Sequence, residues 1–400
     1  MNSILSDRIN QMEESATLAM AKKARELKGQ GIDIISLSLG EPDFKTPKHI
    51  QDAAKAAIDE GKYFAYPPVA GYQDLREAIA KKLRDDNKIS DAKAENIVVS
   101  TGAKHSIANI FMCMLNEGDE VVIFSPYWVS YAEIIKLAGG VPVLIEGTLE
   151  NNFKATAAQL KDAMTAKTKA VIYSSPCNPT GSVFSKEELE AIAEVVKSQE
   201  DVYVIADEIY ELINFTGQHA SIGSFPGMFE RTITVNGFSK GYAMTGWRVG
   251  YICAPLFIAK ACEKMQGQFT SGGTGIAQRA ALAAIAGDQQ PSKEMEKAYL
   301  GRRELVLGLL RDIPGIKTHV PEGAFYFFPD VTAFFGKSAE GIQINNADDL
   351  CIYLLEKANV SVVTGAAFGA PDCFRLSYAA SEEDLKEALK RMKEALGNLS

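Results

Sequence analysis

Four hundred residues are more than one compact core usually organises, so the length favours two domains. Apolar residues at 46% and charged residues at 23% are ordinary globular composition and exclude a disordered or fibrous chain. Lys+Arg 42 against Asp+Glu 51 leaves a net charge of −9, the wrong sign for a protein held on nucleic acid by phosphate contacts. The opening stretch, MNSILSDRINQMEES, has no apolar run behind a basic start, so no secretory signal is expected. Periodicity predicts a helix over 16–27, whose packing partner the sequence leaves open. Short β-branched runs then predict strands at 97–101 (IVVST), 121–124, 141–145, 170–174, 202–206, 232–235 and 249–253. Between two of them a helix is predicted over 185–197, with Leu189, Ile192 and Val196 on one face. Continuously apolar strands separated by helices indicate an α/β fold, a mostly parallel sheet sandwiched by helices, over residues 45–300. The last quarter changes character: a charged helix over about 291–311 precedes strands at 324–328, 360–363 and 374–377, with helices near 347–357 and 382–395. Residues 301–400, together with the segment 1–44, are expected to make a smaller α+β domain.

Six cysteines, Cys113, Cys177, Cys253, Cys262, Cys351 and Cys373, form no CxxC pair, and the four histidines complete no zinc-type spacing with them. Buried apolar thiols are the better reading, and no metal is expected. No stretch approaches about 18 uninterrupted apolar residues, so a membrane is not an expected partner. The expectation is a cytoplasmic protein of a reducing compartment.

The informative polar groups stand where predicted parallel strands end, the place where open α/β sheets bind ligands. Ser100-Thr101-Gly102-Ala103-Lys104 follows IVV and opens a helix. Small residues there let backbone N–H groups meet an anion such as phosphate, although the same pattern also serves as a plain connecting turn. Asp207 closes VYVIAD, with Tyr210 three residues on. A carboxylate at the mouth of a buried strand needs a partner, and a helix N-cap competes as its explanation. Asn178, in SPCNPTG at 175–181, taken alone is a turn residue. The run NGFSKGYAMTGWRVG at 236–250 is different: Lys240 stands among small and aromatic residues, and Arg248 follows. An amine so placed can lose its proton and act as an imine-forming nucleophile.

SLSLGEPDF, YPPVAGYQDLREA, SPYWVSY, SSPCNPTG, DEIY, NGFSKGYAMTGWRVGY and FRLSYA occur in the order found in class I/II aminotransferases of the fold-type I pyridoxal-phosphate enzymes. Essentially the whole chain resembles that family, most of all its bacterial aspartate-specific branch. The resemblance implies that Lys240 bonds covalently to pyridoxal 5'-phosphate and later shuttles the proton. It implies that Asp207 pairs with the pyridine nitrogen, which keeps the ring an electron sink, while Asn178 and Tyr210 hydrogen-bond the ring 3′-oxygen. Gly102, Ala103 and Lys104 would frame the phosphate with Arg248, and Trp128 would stack on the ring. Tyr66, in AYPPVAG, would reach the phosphate of the neighbouring subunit, so a homodimer with shared active sites is implied. On the substrate side Arg375 would bind the α-carboxylate, helped by the Gly40 backbone, with Trp128 and Asn178 alongside.

The implied reaction moves the amino group of L-aspartate to 2-oxoglutarate, by ping-pong kinetics between amino acid and 2-oxo acid. Gln266–Gly273 holds no arginine for the side-chain carboxylate. Ser15 and Thr17 match the amino-terminal pattern of the branch that uses a mobile segment instead. Glu13 departs from the basic residue that prephenate-accepting members carry nearby. Other donors (aromatic amino acids, alanine or prephenate) and a lyase on the same cofactor remain alternatives. A non-catalytic nucleotide-binding protein is a third, against which the turn at Gly102 lacks G-x-G-x-x-G spacing.

Overall fold

A computed structural model describes residues 4–400. Its centre is a seven-stranded sheet made of β1 (Ile97–Ser100), β2 (Glu120–Ser125), β3 (Val141–Glu146), β4 (Thr168–Ser174), β5 (Tyr203–Asp207), β6 (Thr232–Gly237) and β7 (Gly250–Cys253). The strand order is β1-β7-β6-β5-β4-β2-β3; β7 runs antiparallel to both neighbours and every other pairing is parallel. Val121, Ile123, Ala170, Ile172, Ile205 and Ile233 point to one face and Val122, Val171, Val204 and Ala206 to the other, all fully buried. A sheet covered on both faces needs such unbroken apolar strands, which is why they read as continuous runs in the sequence. Helices supply the cover, and the one at Lys186–Lys197 starts on a reciprocal cap between Ser185 and Glu188.

The carboxy-terminal quarter builds its own small antiparallel sheet from β8 (Tyr326–Phe327), β9 (Val363–Thr364) and β10 (Phe374–Ser377), in the order β9-β10-β8. Its core joins Tyr299, Leu310, Phe325, Phe327, Leu354, Leu376 and Leu385 to Ile35 and Leu37 from the other end of the chain. The amino-terminal helix α1 (Ala16–Gly29) packs here, through Ala24 against Ile34 and Leu355. Two expected elements need correction. The apolar run 360–363 is not one strand: Val360–Ser361 pairs in parallel with Ile35–Ser36, whereas Val363–Thr364 pairs with Arg375 and Phe374. The strand expected at 324–328 is regular only over Tyr326–Phe327, because Ala324 adopts a left-handed φ of 56°.

Candidate active site

Register brings the chemistry together. Ser174 on β4 lies beside Asp207 on β5, and Asp207 lies beside Val235 on β6. The segments leaving these strands therefore emerge side by side although they are far apart in sequence. They carry Asn178, Tyr210 and Lys240 to a cavity of about 560 Å³. The helices α2 (Ala103–Met114) and α3 (Ser130–Leu137) contribute Ala103, Lys104, Ser130 and Tyr131, with Trp128 just ahead of α3. Arg248 closes the same wall. Gly40, Tyr326 and Arg375 come from the smaller sheet and its surroundings, and Ser15, Thr17 and Leu18 from the amino-terminal segment.

Lys240 donates from Nζ to the Gly40 carbonyl at 2.5 Å and lies 5.6 Å from the centre of the Tyr210 ring. Burial, against the opposing pull of Glu41, brings its ammonium down to about 8. An amine so placed is neutral in part near pH 7, which is what a nucleophile and proton carrier requires. Asp207 is 4% exposed. Its Oδ2 accepts from the Tyr131 hydroxyl at 2.5 Å and its Oδ1 from the Ile209 N–H at 3.3 Å. Burial pushes its carboxyl up to about 6 despite those donors. A buried carboxylate with no cationic hydrogen-bond partner among the described residues is ready to accept one from a bound group. The Tyr210 hydroxyl shares a hydrogen bond of 2.7 Å with that of Tyr326.

Arg375 is fully buried on β10, with Tyr326 and Phe368 rings 4.6 and 4.9 Å from its guanidinium carbon. Its Nη1 donates to Asn178 Oδ1 at 2.8 Å and its Nη2 to the Ser38 carbonyl at 2.5 Å, while Nε has no partner among the described residues. Opposite, the turn into α2 rests on two glycines. Gly102 has φ +83°, and a Cβ there would sit 2.5 Å from Arg248 Nη2. A Cβ on Gly250 would lie 2.3 Å from the Ala103 nitrogen. Bare backbone thus lets the α2 N-terminus and the Arg248 fork share one small anion-sized cradle. Arg248 itself holds a left-handed φ of 55°, a conformation that non-glycine residues keep only where their surroundings enforce it.

Twelve of the sequence-predicted residues line one cavity: Ser15, Thr17, Gly40, Ala103, Lys104, Trp128, Asn178, Asp207, Tyr210, Lys240, Arg248 and Arg375. Gly102 adjoins it through Arg248. The Lys104 ammonium lies 4.8 Å over the Trp128 ring, so it faces the aromatic wall as well as the cradle. Tyr66 is not brought to this cavity; it is 92% exposed. Sequence reasoning missed Tyr131 and Tyr326. Tyr131 belongs to the SPYWVSY motif, but a tyrosine on an apolar helix face carries no sign of its partner. The cradle, the buried Asp207, the poised amine and the orphaned Arg375 Nε together fit a phosphorylated pyridine aldehyde with an amino acid beside it.

Comparison with known proteins agrees. Residues 32–392 match the family model for aminotransferase class I and II. A probable aspartate/prephenate aminotransferase of Rhizobium leguminosarum bv. phaseoli is 45% identical, over 98% of this chain and 98% of that one. An aspartate aminotransferase of Bacillus sp. strain YM-2 is 44% identical over 98% of this chain and 99% of its own. Among solved structures, the Rhizobium meliloti aspartate aminotransferase superposes with a TM-score of 0.95 at 40% identity, covering 99% of each chain. The Thermus thermophilus aspartate aminotransferase with maleate gives 0.91 at 41% identity, over 99% of this chain and 100% of that one. The chain belongs to the class I and II aminotransferases, a pyridoxal-phosphate-dependent family.

Proposed function

We propose that this protein transfers the amino group of L-aspartate to 2-oxoglutarate, giving oxaloacetate and L-glutamate by ping-pong kinetics, with pyridoxal 5'-phosphate as cofactor. One observation carries the reading: a fully buried arginine, a buried carboxylate and an amine brought down to about 8 converge on a single cavity. The cofactor, when bound, supplies the electron sink that makes the substrate Cα–H acidic. The protein does the rest. Arg375 takes the α-carboxylate as a bidentate pair, which orients the Cα–H bond. The Lys240 amine is placed to take that proton as a base and to hand it back as an acid once the electron pair has moved. Asp207, held by Tyr131, would pair with the ring nitrogen. Tyr210 and the amide N–H groups of Asn178 would serve the ring oxygen, and Trp128 would lie against the ring. The turn at Gly102, whose own N–H donates to the Ser100 carbonyl, would present the Ala103 N–H to the phosphate, with Lys104 and Arg248 beside it.

Ser15 and Thr17 at the mouth supply hydroxyl donors for the distal carboxylate. Aspartate aminotransferase is the name carried by several relatives near 45% identity. Others are named for prephenate as well. Glu13 lies beside the mouth, in an adjoining cavity that shares Ser15 and Lys104 with the main one, at the place where prephenate-accepting members carry a basic residue. Aspartate is therefore the expected preference. We further propose that residues 45–300 and 1–44 with 301–400 are the two units flanking the cavity, and that the enzyme is a cytoplasmic homodimer. The smaller sheet formed within 301–400, the free state of all six cysteines and the exposed Tyr66 support this. Among the described residues no helix is long and apolar enough to cross a membrane.

Incubation with aspartate and no acceptor tests the reaction. A single stoichiometric conversion to oxaloacetate is expected, whereas continuous product release would indicate a lyase. Lys240→Ala is expected to lower kcat by at least about 10³-fold, as removal of a positioned base and nucleophile does. A kcat/KM for alanine or an aromatic amino acid well above that for aspartate would overturn the substrate assignment.

A further inference from the structure

The mouth of the cavity is held by very little. The short helix Asp7–Gln11 has no buried residue, and Ala16 rests on the apolar cluster of Phe153, Phe328 and Phe368. Among the described residues, one hydrogen bond ties the stretch 12–17 to a distant element: the Glu13 N–H donates to Glu133 Oε2 at 3.1 Å. The other oxygen of that carboxylate, Oε1, accepts from Lys136 Nζ at 2.7 Å, one helical turn further along α3. The ion pair steers the Glu133 carboxylate, whose side chain is only 17% exposed. The same α3 presents Tyr131 to Asp207 and follows Trp128 into the cavity. Glu133 therefore joins the wall that carries Ser15 and Thr17 to the wall that carries the ring contacts.

We propose that Glu133 is a positioning residue for side-chain selectivity. Its carboxylate, aligned by Lys136, latches the Glu13 backbone and sets Ser15 and Thr17 where they hydrogen-bond the distal carboxylate of a dicarboxylic substrate. This rests on the aspartate reading above. A substrate without a distal carboxylate makes no use of those hydroxyls, so the latch discriminates between substrates rather than serving the chemistry. Glu13 takes part through its main-chain N–H, so the contact does not depend on its acidic side chain.

The test compares the holoenzyme with Glu133→Ala and Glu133→Gln, measuring kcat and KM for aspartate and for alanine, with Tm as a check on folding. In Glu133→Ala the KM for aspartate is expected to rise about three- to tenfold, the worth of one partly exposed charge-assisted hydrogen bond. Its kcat for aspartate and its kcat/KM for alanine should stay within about twofold. Glu133→Gln keeps an oxygen for the Glu13 N–H but loses the ion pair with Lys136, so it should recover part of the loss. An unchanged aspartate-to-alanine ratio in Glu133→Ala, or equal losses for both substrates, overturns the latch. The wild-type enzyme failing to convert aspartate at all would instead overturn the reading beneath it, so the two failures are told apart.

Discussion

At the scale of single residues, the site works by holding two groups away from their ordinary ionisation. Burial brings Lys240 down to about 8, so its neutral fraction grows about tenfold for each pH unit below that value and levels above it. The rate at which the apoprotein captures pyridoxal phosphate, followed by absorbance, is expected to climb in the same way and flatten near pH 8. In Asp207→Asn the carboxylate that helps keep the amine charged is gone, so the plateau should begin at lower pH. Asp207 behaves oppositely. Its folded carboxyl is raised to about 6, so it is ionised only above that pH and offers nothing to a cationic ring below it. Cofactor affinity should therefore fall as the pH drops through about 6. The Tyr131 hydroxyl favours the ionised form, and Tyr131→Phe removes that help. The affinity loss should then start at higher pH, with Kd at pH 7 weaker by about ten- to a hundredfold, the worth of one hydrogen bond to a charged group. Equilibrium dialysis across pH 5 to 8 checks both.

At the scale of elements, the turn between β1 and α2 depends on glycine more than on any side chain. Gly102 has φ +83° and ψ 159°, a region essentially closed to other residues, and its missing Cβ is the space the Arg248 fork occupies. Gly102→Ala is expected to destabilise the apoprotein by about 1–3 kcal/mol and to weaken cofactor binding at least about tenfold by displacing Arg248. Urea unfolding and fluorescence titration read the two effects separately. The same turn marks how far the sequence could be read. The strands of the central sheet were legible because burial on both faces forces unbroken β-branched runs, and predicted ends fell within two residues of the observed ones. Lys240, Asp207 and Arg375 were legible because each stands in a motif whose residue types suit no ordinary surface. What stayed hidden depends on partners. The run 360–363 has one apolar pattern but serves two sheets, and no periodicity names the strand on the other side. Tyr131 and Tyr326 look like core aromatics until their hydroxyls meet Asp207 and Tyr210.

At the scale of the whole molecule, the residue that does not fit the single chain is the instructive one. Tyr66 is 92% exposed and Phe64 near it 67%, and neither lines the cavity of its own chain. Two large aromatic rings left this open two residues apart suit a surface that another copy of the chain covers. If each active site borrows Tyr66 from its partner, two defective variants should repair one another. Tyr66→Phe alone leaves every site without the borrowed hydroxyl, and Lys240→Ala alone leaves every site without its amine. In a mixed dimer, one site combines the intact Lys240 of the first variant with the intact Tyr66 of the second, while the other site carries both defects. Unfolding and refolding the two variants together should therefore yield a population with wild-type cofactor affinity and kcat at one site per mixed dimer. Were Tyr66 to serve its own chain, the mixed dimer would hold no intact site and affinity would stay at the Tyr66→Phe level. Cofactor titration of the tag-purified mixed dimer distinguishes the two, because sharing makes the tight-binding fraction appear only after mixing.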